Sequence, residues 1–396
     1  MKDLNGNIIK LTKIEIILMS IFVIMCGFPN SEILPYKTLV IFLISVPFLM
    51  KGKVKIDRSL VLFLSSFLLV FLLQKYYFGV VSSQSLQLIY SAWFVCTLLG
   101  EKFKYAYFKA IYILCVIAIP CYMLMQINLI PNIGFLNNDA YKGIFVWSVR
   151  WNEIIRNRNC GPFWEPGAFA GNICVLLLLF FNDLGELWRI YKRQMIVIYI
   201  ALFTTFSTQG YLVFFFIYLF YFYREKMKPT KIISLAVVLF VAYTVAMNIP
   251  FIGEKVQEQF NAASDIESNE GSTSLSRFST TALDLYYISK HPIIGNTTTP
   301  SIRYADHPYL QSVIEYEGGY GTGSGVTDFI ATFGLLPFGV WLFFTGKRFQ
   351  KAFGQTQMIL CVILLLTLGN AECYFTWILY NSLPFMKLGQ MKNKSI

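Results

Sequence analysis

Apolar runs recur along the chain, separated by short charged breaks and by two long polar stretches. They fall at 14–29, 34–50, 60–79, 84–100, 106–126, 167–182, 195–207, 210–223, 232–249, 325–345, 357–370 and 373–388. A helix of about 20 apolar residues crosses about 30 Å of hydrocarbon, so the pattern predicts twelve transmembrane helices. The runs at 195–207, 210–223 and 357–370 are short for a crossing, and 373–388 carries Asn381 and Pro384. The first run lacks a small-x-small cleavage site and is followed at once by another, which marks it as a retained helix rather than a secretory leader.

Basic residues return in every second connection. Lys10 and Lys13 precede the first run, Lys51 and Lys53 precede the third, Lys102 and Lys104 the fifth, and Arg189, Lys192 and Arg193 the seventh. With a cytoplasmic N-terminus every one of these connections lies inside, as the positive-inside rule requires, and both termini are cytoplasmic. The long segments 127–166 and 250–324 then fall outside. Such lengths exceed ordinary helix connections, so function is sought there.

Composition agrees. The chain is 56% hydrophobic and 14% charged, against about 25% charged in soluble domains. The expected fold is an all-α polytopic integral membrane protein, a single membrane domain over 1–396. Basic connections facing anionic lipid account for the net charge of +11 without a nucleic-acid partner. The eight cysteines lie mostly in apolar runs, with Cys160 the clearest exception. Neither a disulfide framework nor a metal site is implied, and no cofactor is expected.

The candidate chemistry sits in the outer segments. "RNRNCGPFWEPGAFAG" brings Arg156, Arg158 and Glu165 to the start of an apolar helix. Ionised groups beside hydrocarbon are costly and are kept where they pair or act. The guanidinium fork matches phosphate oxygens. On an irregular loop both arginines could converge on one pyrophosphate, or they could snorkel to lipid headgroups while Glu165 pairs with one of them. Gly161 allows close backbone approach to a ligand, Pro166 suits the first helical position, and the helix N-terminus favours an anion. In the later loop, Arg277, Asp284 and His291 share a seven-residue spacing and one helical face. Arg303 and Asp306 are further candidates for binding. Histidine can act as a general base near neutral pH; His291 reads more as a helix-ending turn, and His307 is a candidate base or substrate contact. Glu165, Glu315, Glu317 and Asp328 compete for the role of general base, with dipole stabilisation or a buried pair as the alternative for Asp328. Ser207, Thr208, Gln209 and Gly210 form an outer turn that caps backbone ends, and Gln209 could also line a sugar site.

Taken in order, these signals resemble the bacterial O-antigen polymerase and O-antigen ligase superfamily. Arg158, Gly161, Phe163, Glu165 and Pro166 make an "R-x-x-G-x-F-x-E-P" run into a helix. "TTFSTQGYL" follows, then Ser276–Arg277, His291–Gly295 and the apolar "GVTDFIATFGLLPFGVWLFF". The likeness is greatest to surface-polysaccharide repeat-unit polymerases. It implies inverting glycosyl transfer on the periplasmic side of the bacterial inner membrane, from an undecaprenyl-pyrophosphate-linked oligosaccharide to another lipid-linked repeat, without a metal. Arg156 or Arg158 and Arg277 would hold the pyrophosphates, and Glu165 would act as base or orient Arg158. A flippase and a chain-length regulator are implied partners, besides membrane lipids. The ligase branch, which transfers to lipid A–core, carries a histidine where this chain reads "GTGSGVTDF". A flippase or secondary transporter is the alternative from another class.

Overall fold

The computed structural model describes residues 9–25, 43, 45–48, 56–80, 84–127, 133–134, 141–150, 157–224, 277–306, 325–371 and 378–388. Thr12 opens α1 (Lys13–Met25) with a reciprocal capping box. Its hydroxyl accepts the Glu15 N–H, and Glu15 Oε2 accepts the Thr12 N–H. Asp57 caps α2 (Arg58–Phe78) by accepting the Leu60 N–H at 2.9 Å. Two helices follow, α3 (Gln84–Leu99) and α4 (Phe103–Gln126), joined by a short turn over Gly100–Lys102.

Segment 127–166, expected to be irregular, contains a four-stranded sheet in the order β1 (Ile133–Gly134), β2 (Tyr141–Phe145), β3 (Trp147–Arg150) and β4 (Arg158–Gly161). The fold is therefore mostly helical but not all-α. After the sheet come α5 (Pro166–Leu179), α6 (Leu184–Thr204) and α7 (Thr208–Arg224). The α5 axis meets the helical run Phe181–Thr204 at 71°. The later segments give α8 (Arg277–Lys290), the single turn α9 (Pro300–Arg303), α10 (Gly325–Phe333), α11 (Leu335–Phe353), α12 (Gln355–Ala371) and α13 (Ile378–Ser382).

By length and composition, α2 and the helical run Leu88–Gln126 can cross a membrane, and the bent α5–α6 pair makes a third if it counts as one span. The structure is thus an apolar helical bundle compatible with membrane insertion, and several expected spans take another form. The run expected at 195–207 belongs to a 21-residue helix that begins at Leu184, with non-helical dihedrals at Tyr191. The run expected at 325–345 is two helices. Of that expected at 373–388, the described part, 378–388, begins with a five-residue helix followed by a 3-10 turn at Leu383–Phe385. The run at 232–249, and most of that at 34–50, lie outside the described residues.

Contacts sort the helix ends into two groups. Lys102 Nζ pairs with Glu15 at 2.9 Å and Lys104 Nζ with Asp183 at 3.4 Å, so the starts of α1, α4 and α6 meet at one end. At the opposite end of α4, Tyr122 donates to Asn157 O (2.9 Å) and Asn157 donates to Gln126 (3.1 Å), which seats the sheet. Between the ends the core is aromatic. The Phe67 ring contacts Phe63, Phe71, Phe329 and Phe333 at 5.3–5.9 Å, joining α2 to α10. The buried Asn172 is satisfied within the bundle: Tyr107 donates to it, and its amide donates to Ala168 O.

The break between α10 and α11 is filled by another part of the chain. Gly334 has φ 81°, and a Cβ there would lie 2.0 Å from Ile293 O. Leu335 N donates to Pro292 O (2.7 Å), while Asn296 N and Thr297 N donate to the Ala331 and Thr332 carbonyls (2.8 and 3.2 Å). Gln74, on α2, donates to Ile294 O and Thr332 O at 2.7 Å each. A helix end leaves its last carbonyls without intrahelical partners, and segment 292–297 with Gln74 supplies them.

Candidate functional site

Strands β3 and β4 run antiparallel, and their register sets Arg150 directly opposite Arg158. Directly opposed residues leave the same face of a sheet with Cβ atoms about 5 Å apart, and like charges there repel. Compensation comes from the neighbouring elements. Arg150 Nη1 pairs with Glu165 Oε1 at 2.8 Å. Arg158 Nε donates to Thr205 O at 3.3 Å, at the C-terminus of α6, where the helix dipole favours a cation. Among the described residues, Glu165 Oε2 makes no hydrogen bond. Glu165 takes the N-cap position of α5 with extended backbone and Pro166 beside it, yet its carboxylate goes to Arg150 rather than to a cap.

A β-bulge sharpens the approach. Ser148 pairs with Gly161 and Val149 with Asn159, so Cys160 is the extra residue. Asn159 Oδ1 accepts the Gly161 N–H (2.9 Å), and Asn159 Nδ2 donates to Thr204 (2.9 Å). Gly161 has φ 58°, and a Cβ there would meet the Phe169 ring at 2.8 Å. Burial pushes the Cys160 thiol up to about 12, and the Glu165 charge adds to the shift, so this cysteine is no nucleophile near neutral pH.

The second group is built around Arg303. Its guanidinium is fully buried and donates at 2.7 Å both to Asp284 Oδ1, from Nη2, and to Asp328 Oδ1, from Nη1. Nη1 also donates to Thr332 (2.9 Å). Burial disfavours the guanidinium charge, but Asp328, Tyr304 and Asp284 outweigh it and hold the pKa above its ordinary value. The Tyr304 and Tyr287 rings flank Arg303 at 5.1 and 6.0 Å. Burial raises both phenols, Tyr287 to about 12.

Hydrogen bonds connect the two groups along one end of the bundle. From Thr205 the path passes to the turn before α7, where Ser207 Oγ accepts the Gly210 N–H at 3.1 Å. Gln209 Nε2 donates to Thr367 O in the last turns of α12. Asn370, one turn on, accepts the Thr327 N–H at 3.4 Å, and Thr327 Oγ1 donates to Asp284 at 2.8 Å. Arg158, Gly161, Glu165, Gln209, Arg303 and Asp328 thus share one end of the fold.

Several expectations change here. The described ion-pair partner of Glu165 is Arg150, which the sequence reading did not single out. The signal was the strand register: "VWSVR" and "RNCG" are short, but pairing them sets the two arginines side by side. Arg303 is a buried ion-pair centre, Asp328 pairs with it and is partly buried, and Gln209 is bonded to backbone. Asp306 pairs with Lys290. Arg277 is the first residue of α8. His291 ends that helix, its ring 5.2 Å from that of Phe78. Arg156, His307, Glu315 and Glu317 lie outside the described residues. Among the described residues, no group of three or more His, Cys, Asp and Glu side chains could hold a metal ion.

No protein-family model matches this chain, and no curated protein matches it either.

Proposed function

We propose that the protein is a membrane glycosyltransferase that polymerises undecaprenyl-pyrophosphate-linked oligosaccharide repeats into a surface polysaccharide. The observation that carries this reading is the cross-strand pair Arg150–Arg158 beside the Glu165 carboxylate, at the end of an apolar bundle. Two guanidinium groups on one sheet face suit a pyrophosphate, whose oxygens each accept from the planar fork. As the bond between the sugar anomeric carbon and the phosphate oxygen breaks, negative charge gathers on the leaving pyrophosphate and the fixed arginines stabilise it. The acceptor hydroxyl attacks the opposite face of the anomeric carbon, inverting it. Its proton passes to Glu165 Oε2, while Oε1 holds Arg150 in place. The buried Arg303 cluster positions α8 and α10 and takes no direct part.

The test is reconstitution of the full chain with its native lipid-linked repeat unit, the products being resolved by size. A ladder of multimers that Arg158→Ala abolishes supports the reading. A repeat left as monomer overturns it. Transfer only after addition of lipid A–core indicates a ligase, and movement across the bilayer without transfer indicates a transporter.

A further inference from the structure

At the opposite end of the bundle from the paired arginines lies a cavity of about 530 Å³ between the segment leading into α1 and helices α4 and α6. Its lining is divided. Lys10, Lys109 and Gln194 supply polar groups, whereas Ile16, Phe108 and the body of Tyr191 supply apolar surface. The non-helical dihedrals of Tyr191 (φ −120°, ψ 33°) interrupt α6 beside this hollow. The volume lies within the range of about 300–1,000 Å³ typical of small-molecule sites.

The charges around the cavity are unbalanced. Glu15 is engaged by Lys102 and Asp183 by Lys104. Among the described residues neither Lys10 nor Lys109 has a carboxylate partner; Lys109 lies over the Tyr112 ring at 5.2 Å. Arg189, Lys192 and Arg193 follow along the same stretch of α6, where Arg189 pairs with Glu186. A hollow whose two ammonium groups have no carboxylate partner among the described residues, above an aromatic and aliphatic wall, is complementary to an amphiphile with an anionic head. Lysine side chains at a helix end reach toward such heads, and basic pockets between apolar helices take anionic lipid headgroups.

We infer that this cavity binds one anionic glycerophospholipid, its phosphate between Lys10 and Lys109 and the upper part of an acyl chain against Ile16 and Phe108. The site is separate from the glycosyl-transfer reading and stands or falls without it. Gln194 donates to the phosphate or glycerol oxygens.

Native mass spectrometry of the purified, delipidated full chain in detergent tests the inference. The probes are phosphatidylglycerol, phosphatidylcholine with the same acyl chains, and inorganic phosphate. The expected result is one retained phosphatidylglycerol, with affinity reduced about 25-fold in the double variant Lys10→Ala, Lys109→Ala, from about fivefold per lysine. Lys109→Arg keeps the binding, Gln194→Glu abolishes it, and Lys347→Ala with Lys351→Ala, in the last turns of α11 and outside the cavity lining, leaves it unchanged. Equal binding to the wild type and the Lys10/Lys109 double variant overturns the site. Phosphatidylcholine retained as tightly as phosphatidylglycerol overturns recognition of the charged head. Displacement of the lipid by millimolar inorganic phosphate identifies an ion site instead and overturns the lipid assignment.

Discussion

Arg303 Nη2 lies 2.7 Å from Asp284 Oδ1, and neither side chain reaches solvent. Removing one partner of a buried pair strands the other charge, at a cost of about 3–5 kcal/mol. Arg303→Met, which removes the guanidinium from both Asp284 and Asp328, is expected to lower stability by that amount in detergent unfolding. Lys290→Ala, which breaks the more exposed pair with Asp306, should change it by about 1 kcal/mol or less. Equal effects of the two substitutions would remove Arg303 as an organising centre.

The Arg150–Glu165 pair behaves differently, because the Arg150 side chain is 41% exposed. Water screens such a pair, so Arg150→Ala should cost about 1 kcal/mol or less in stability. Multimer formation should fall by about 10²–10³-fold, the range seen when one fixed donor to a developing anion is lost. An unfolding scan paired with the size-resolved product assay separates the two effects. Lost activity accompanied by lost fold would speak against a catalytic role.

Gly161→Ala places a Cβ against the Phe169 ring at a residue with positive φ. A penalty of about 1–3 kcal/mol is expected from the backbone alone. The combination with Phe169→Ala tests the steric part, since it removes the ring that the new Cβ meets. Gly339→Ala is the matched control: it lies inside α11, nothing is within 4 Å of the new Cβ, and helix propensity favours alanine by about 1 kcal/mol.

Alkaline pH should destabilise the protein. Burial raises the folded-state pKa of Cys160 from 9.0 to about 12 and that of Tyr287 from 10.0 to about 12. Their protonated forms favour the folded state fully below pH 9. As pH climbs toward 12 the unfolded chain loses these protons first, and stability falls. Unfolding midpoints measured between pH 8 and about 12 check the sign, and Cys160→Ser should flatten part of the slope.

Helices with unbroken apolar runs were legible in the sequence: 60–79 and 106–126 differ from the observed Arg58–Phe78 and Phe103–Gln126 only near their ends. Hydropathy failed where charge and helix coincide. Arg189, Lys192 and Arg193 read as a connection, yet Arg189 lies within α6 and pairs with Glu186 one turn back. It also failed at Gly334, since a single glycine barely alters an apolar average while its dihedrals end one helix and admit another.

Within the candidate site, Arg158 and Glu165 were legible because both stand beside a helix start with a proline. Arg150 was not, because its meaning depends on a cross-strand register, and strands of four or five residues carry too little alternation to reveal one. The buried pairing of Arg303 was equally hidden. Its acids lie 19 and 25 positions away, on two different helices.

Segment 292–297, the Gln74 side chain and the α10–α11 break exchange hydrogen bonds that none of them forms alone. Leu335, Asn296 and Thr297 therefore have amide protons that become exposed only when this whole junction opens. In deuterated buffer the three should exchange at one common rate, as a cooperative opening unit. Segment 292–297 and the bundle interior would then loosen in the same event rather than in turn.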